Sequence, residues 1–408
     1  MERGLFRTVS AAEGNAKWGQ SICRLRPIYQ KADDIRSEFA RDYTRILHST
    51  AYRRLKHKTQ VFFATRNDHI CTRIEHVNHV ASVSYTIANY LGLNTELTNA
   101  IAIGHDLGHA PFGHAGEEIL QEIMLREIGK TFWHERNSLR LVDRCETLPD
   151  SEGNEHNLNL TYAVRDGIVC HCGEVDENSI FPRAEAFDLY TVEKSNHYPP
   201  FTWEGCVVKI ADKISYLGRD IEDARMLKVL SVSETKELVR IGREFGKIRV
   251  TEINNTLLMH HFIVDLCKNS SPDNGISFSD NYLKLIDTLK SFNYEYIYKH
   301  ERLTNYKRYA ELVIDSIFHT LLNRYKGKTT LEALERYRDV YPALVQTFND
   351  WLLKYSDMGR KDKKGGRYRN AILYRLENRQ EYAQAIVDYI SGMTDHFAIR
   401  IFNEITTF

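Results

Sequence analysis

Between His105 and Glu117, in "HDLGHAPFGHAGE", thirteen consecutive positions hold three histidines, an aspartate and a glutamate. Imidazole nitrogens and carboxylate oxygens at that density suit two kinds of chemistry. They can ligate a divalent cation, since a mixed nitrogen and oxygen donor set accepts Mn2+, Fe2+, Co2+, Ni2+, Zn2+ and, less readily, Mg2+. They can also carry protons near neutral pH, where imidazole titrates. Seven of the 17 histidines fall between His69 and His134, which makes chance clustering a poor explanation.

Such side chains need rigid elements to bring them together. His105 follows Leu97 by eight residues and Ile101 by four, so helical periodicity puts it on a buried stripe. Asp106 then stands about 100° further round the helix, and the two side chains can converge on one ion beside the axis. Two ligands rarely hold a catalytic metal, so others are expected from neighbouring helices. His76 opens an apolar-striped segment, Glu75 to Leu91, and Asp212 sits beside inward-facing Ala211 in another, Cys206 to Leu227. A carboxylate at that place is not expected to be buried unpaired.

With only 8 prolines and 22 glycines, and apolar residues at i, i+3 and i+4 rather than in alternation, the chain reads as all-α. Gly108 and Pro111 are expected to end the helix that carries His105. Polar stretches at 147–157, 193–200, 268–280 and 356–370 read as loops. The loop at Lys268 suggests a division into a helical catalytic core, residues 1–267 with the N-terminal helices, and a further C-terminal helical region, residues 268–408, packed on the core. Fifty-five basic residues balance 55 acidic ones, so no global field recruits a polyanion, and any such ligand must be held locally. Seven scattered cysteines read as reduced thiols, Cys170-His171-Cys172 included. "MERGLFRTVS" has no apolar signal core and no run of about 18 apolar residues occurs, which points to a cytoplasmic protein without membrane contact.

The order His76, then His105-Asp106, then distant Asp212 resembles the metal-ligand pattern of the HD-domain phosphohydrolases. The surrounding blocks "AYRRLKHKTQVF", "TRIEHVNHV", "GHDLGHAPFGHAGE", "WHERNSLRLVD", "ADKISYLGRDIEDA" and "DYISGMTDHFA" resemble, in order and over most of the chain, the deoxynucleoside triphosphate triphosphohydrolases, or dGTPase-like proteins. One departure is His76-Val77-Asn78-His79, where the family often reads His-Ser-Leu; His79 is expected to face solvent. The resemblance implies an HD-domain helical core and a divalent metal, Mn2+ or Mg2+ first, on His76, His105, Asp106 and Asp212. It implies attack of water at the α-phosphorus of a deoxynucleoside triphosphate, releasing deoxynucleoside and tripolyphosphate. The departing 5′ alkoxide needs a proton, for which His114 with Glu117 is the first choice and His109 and His134 are rivals. Arg73 and Lys213 match phosphate-contacting positions, Tyr216 the position beside the sugar, and Asp220 and Gln60 those at the 3′ hydroxyl. Arg54 belongs to the block of Gln60 and can equally form a salt bridge.

A phosphodiesterase or nucleotidase acting on another phosphoester would use the same ligands. A nucleic-acid-binding regulator with a vestigial site is the other alternative, on the basic run Arg360, Lys361, Lys363, Lys364, Arg367 and Arg369. That run could also receive a nucleotide or single-stranded nucleic acid effector. Homo-oligomers, tetramers or hexamers, are implied by the family.

Overall fold

Segments with helical apolar spacing become helices in the computed structural model, which describes residues 3–28, 33–63, 67–172, 178–246, 253–358 and 368–407. The fold is all-α, as expected. The one sheet among the described residues is a hairpin, Thr147–Pro149 against Glu155–Asn157, inside a stretch read from sequence as a loop. The chain forms two compact units, each discontinuous in sequence. The loop at Lys268 lies inside the first of them.

The first unit comprises Met1–Ile46, Thr65–Asp106 and Leu160–Thr304. Its centre is helix Trp203–Met226, packed by helices Arg73–Leu91, Thr95–Gly104, Tyr162–Val169 and Asn255–Asn269. Val77, Val80, Ile87, Leu97, Ile101, Val207, Ile214 and Leu217 bury the expected stripes. Each helix starts on a local signal. Thr72 and Glu75 form a reciprocal capping box for Arg73–Leu91, Asn94 accepts from the amides of Glu96 and Leu97, and Thr202 accepts from that of Gly205. A Cβ at Gly218 would stand 3.0 Å from the Asn255 Cα, so glycine there allows helix Asn255–Asn269 to approach.

The helix that leads to His105 stops earlier than expected, at Gly104 rather than at Gly108 or Pro111. The His105 ring donates from Nδ1 to the Ala102 carbonyl at 2.6 Å, an acceptor the Asp106 amide would need in a continuing helix. Residues 105–108 therefore form a turn.

The second unit comprises Leu47–Ala64, Leu107–Asn159 and Asn305–Phe408. Ile119, Leu120 and Ile123 of helix Gly113–Ile128 share a core with Phe318 and Leu321, with Phe348 of Pro342–Tyr355 and with Ile386 and Ile390 of Arg379–Ser391. Buried polar groups hold the turn before Gly113. Asp395 accepts from the amides of Phe112 and Thr59, both at 2.9 Å, and Lys58 donates to the carbonyls of His109 and Ser391. A Cβ at Gly108 would fall 2.1 Å from the Ser138 amide nitrogen, a separation only glycine avoids. Of the basic run, residues 360–367 lie outside the described residues, and the Arg369 amide donates to the Glu155 carbonyl.

Candidate functional site

Two helices of the first unit, Arg73–Leu91 and Trp203–Met226, and the turn that holds His105 and Asp106 bring His76, His105, Asp106 and Asp212 together. His76 Nε2 lies 3.0 Å from Asp212 Oδ1 and 3.8 Å from Asp106 Oδ2; His105 Nε2 lies 3.4 Å from Asp106 Oδ1 and 3.7 Å from Asp212 Oδ1. Cis ligands of an octahedral ion with bonds of about 2.1 Å are separated by roughly 3.0 Å, so these spacings, widened slightly, fit the edges of a coordination polyhedron. His105, wholly buried, gives its Nδ1 proton to the Ala102 carbonyl and turns Nε2 toward Asp106 and Asp212. Burial opposes the charged imidazole of His105, but Asp106 and Asp212 hold its pKa above the ordinary value. Burial also opposes the charged Asp212, yet hydrogen bonds from His105 and His76 hold it well below the usual carboxylate range. His76, His105 and Asp212 bring one donor atom each within 4.8 Å of one another, and Asp106 lies beside both histidines, an arrangement suited to a divalent cation.

The same unit carries most of the substrate candidates. Arg73 is buried and paired to Asp106 at 2.8 Å. Lys213 is buried beside Asp212, and Tyr216 and Asp220 continue the same face of helix Trp203–Met226. Asp220 accepts from the Tyr298 hydroxyl at 2.5 Å. Its burial, with nearby Asp223 adding to it against the Tyr298 hydrogen bond, pushes its pKa up to about 7. His79 is half-buried rather than solvent-facing, and burial with His76 and Arg219 nearby pushes its pKa down to about 4.

The second unit gathers His109, His114 and His134 around Glu117. Helix Gly113–Ile128 does begin before His114, which puts Glu117 one turn on. His134 is tied most closely: its amide donates to Glu117 Oε1 at 2.7 Å and its Nδ1 stands 3.1 Å from the same carboxylate. The rings of His109 and His134 stack at 3.9 Å, while His114 is 68% exposed with Nδ1 3.5 Å from Glu117. Burial raises the Glu117 carboxyl, but His134, then His114 and His109, carry it well below the usual range. Gln60 is buried in this unit, and Arg54 pairs with Glu146 at 2.9 Å.

Residues 73–217 match the HD domain, and residues 365–404 match a phosphohydrolase-associated domain. Over 374 residues the chain is 33% identical to a deoxyguanosinetriphosphate triphosphohydrolase-like protein of Caldanaerobacter subterraneus, covering 91% of this chain and 86% of the relative. The chain belongs to the HD-domain, dGTPase-like triphosphohydrolase family. A like-named protein of Thiobacillus denitrificans is 32% identical over 90% of this chain and 89% of its own. One of Desulfatibacillum aliphaticivorans is 36% identical over 71% and 74%. Membership supports a metal-dependent phosphohydrolase, and the His and Asp clusters of the first unit suit that chemistry. No described helix is long and apolar enough to cross a membrane.

For a member of this family, two residues beside the candidate site escaped the sequence reading. Tyr298, on a π-helical turn at Tyr294–Tyr298, holds Asp220 although 78 residues separate them. His171 lies with its ring centroid 4.8 Å from that of His105. The flanking Cys170 and Cys172 form no disulfide.

Proposed function

We propose that the protein hydrolyses deoxynucleoside triphosphates, dGTP or several dNTPs, to deoxynucleoside and tripolyphosphate with the help of a divalent metal. The observation that carries this reading is the convergence of His76, His105, Asp106 and Asp212 in a chain of the dGTPase-like family. When bound, Mn2+ or Mg2+ supplies an acidified water and charge compensation for phosphate. The chain's own residues do the rest.

Arg73 and Lys213, both buried cations, offset part of the roughly four negative charges of a triphosphate. Tyr216 packs against the deoxyribose where a 2′ hydroxyl would need room, and Asp220 with Gln60 binds the 3′ hydroxyl. The departing 5′ oxygen takes its proton from the histidines around Glu117. Among them His134, hydrogen-bonded to Glu117 through two nitrogens, is the best oriented, with His114 the more solvent-accessible rival and His109 beside them. Arg54 acts next to Gln60 through its pair with Glu146. The working form is a homo-oligomer, a tetramer or hexamer in the cytoplasm, and a nucleotide or single-stranded nucleic acid modulates it.

The test is incubation with each dNTP, singly and mixed, and with GTP, in Mn2+ or Mg2+, with products resolved by chromatography. Deoxynucleoside and intact tripolyphosphate, lost in His105→Ala, are expected. Release of monophosphate or pyrophosphate instead would overturn the reaction and favour another phosphoester hydrolase.

A further inference from the structure

Helix Asp280–Asn293 runs on into the π-helical turn Tyr294–Tyr298. A π turn takes one residue more than an α turn and re-aims the side chains after it, and such turns gather at functional sites. Here the Tyr298 hydroxyl reaches Asp220 Oδ2 at 2.5 Å. The start of the turn is anchored to the same partner helix, Trp203–Met226, because wholly buried Asn293 donates from Nδ2 to the Leu217 carbonyl at 3.1 Å.

The bond divides the Asp220 carboxylate into two unlike oxygens. Oδ2 takes the phenol proton, whereas Oδ1, on a residue only 2% exposed, accepts no hydrogen bond among the described residues. A buried carboxylate oxygen left unsatisfied is costly, so its retention calls for a donor from outside the chain. Two observations put that donor on the substrate side. Asp220 follows Asp212 by eight residues and Tyr216 by four, so the three share one face of the helix. Arg73, paired with Asp106 at 2.8 Å, is near enough to Asp220 to favour its charged form. A phenol has one proton to give, and while Tyr298 gives it to Oδ2 the carboxylate cannot turn about its Cβ–Cγ bond without breaking that contact. The direction of Oδ1 is thereby fixed.

We propose that Tyr298 is a positioning residue for substrate choice: by holding Oδ2 it aims Oδ1 of Asp220 at the 3′ hydroxyl of the deoxyribose and so sets how strongly the protein demands that hydroxyl. This rests on the triphosphohydrolase reading proposed above and deepens it. A tyrosine that merely pinned the π turn to the helix would affect every substrate alike, whereas one that aims an acceptor affects only substrates carrying the matching donor.

The test uses the full chain with Mn2+ and compares kcat/KM for a dNTP and for its 2′,3′-dideoxy counterpart, in wild type and Tyr298→Phe. Wild type is expected to prefer the dNTP. Tyr298→Phe, which removes only the hydroxyl, is expected to shrink that preference about tenfold, through a higher KM for the dNTP and with the dideoxy substrate unaffected. An unchanged ratio, or an equal loss on both substrates, would overturn the proposal. Poor folding of the variant does not blur the result, because a smaller folded fraction scales both rates and leaves their ratio alone. On an Asp220→Ala background the same change should leave the ratio where it stands; a tenfold fall there would show that Tyr298 acts without Asp220 and would also overturn it. Failure of the underlying reading looks different, since wild type itself would then cleave no dNTP.

Discussion

In the first unit two histidines face two carboxylates carried by different segments, Asp106 and Asp212, whereas in the second three histidines share Glu117. The residue types are the same. Where a backbone carbonyl takes the Nδ1 proton of His105 and carboxylates gather at its Nε2, the donor set suits a metal. Where Nδ1 atoms of several rings face one carboxylate, the group is rich in exchangeable protons and suits acid–base work. Burial alone decides neither. Asp220 is buried and Glu117 partly so; burial, with Asp223 adding to it, raises the Asp220 pKa to about 7, while imidazoles hold Glu117 well below the usual range against its own burial.

The contrast breaks most visibly at the metal ligands. Asp212→Ala should abolish metal binding and lower turnover by about three orders of magnitude or more, because a bound ion contributes several kcal/mol to the barrier. Metal content by mass spectrometry and tripolyphosphate release check it, and a variant that keeps both would show that the group does not act as a metal site. In the second unit, His134→Ala should lower kcat by about 10²- to 10⁴-fold, the usual worth of a positioned acid or base, with bound metal unchanged. Loss of metal in His134→Ala would merge the two roles. His114→Ala under the same assay shows which ring delivers the proton, since the larger fall in kcat marks the donor.

Opposite pH slopes of stability sharpen the comparison further. Asp220 binds its proton more tightly folded than unfolded between pH 3.8 and about 7, so its contribution to stability declines as pH rises through that window. Asp220→Asn removes the decline, and the variant should gain on wild type by on the order of 2 kcal/mol from pH 4 to pH 7. Glu117, held below its ordinary 4.5, contributes stability that is present above that pH and is lost on acidification. Glu117→Gln should therefore flatten the acid limb instead. Thermal melts across pH for both variants test the two signs, and slopes of the same sign would show that neighbours do not set these groups. The smallest effect is expected at Arg54, whose partner Glu146 is the more buried of the two. Arg54→Ala should cost about 1 kcal/mol in stability and change KM by less than about threefold; a tenfold rise in KM would put the guanidinium on the substrate.

Much of this was readable from residue order. The apolar stripes around His76, His105 and Asp212 placed them on helices, and helix Gly113–Ile128 began where the reach from His114 to Glu117 required it. The end of the helix before His105 was not readable, because a ring bonding its own last turn competes with the next amide, and periodicity does not report such competition. His79 was misjudged for a related reason: exposure depends on what packs over a helix face, not on the face itself.

Sequence by itself determined the all-α class and the family, since these depend on apolar periodicity and on motifs that are each local in the chain. Only the tertiary structure decided that the chain divides between Asp106 and Leu107, that Tyr298 holds Asp220 and that His171 stands against His105. Those contacts join residues tens of positions apart, and the helix packing that closes such distances is a property of the assembled core rather than of any one segment.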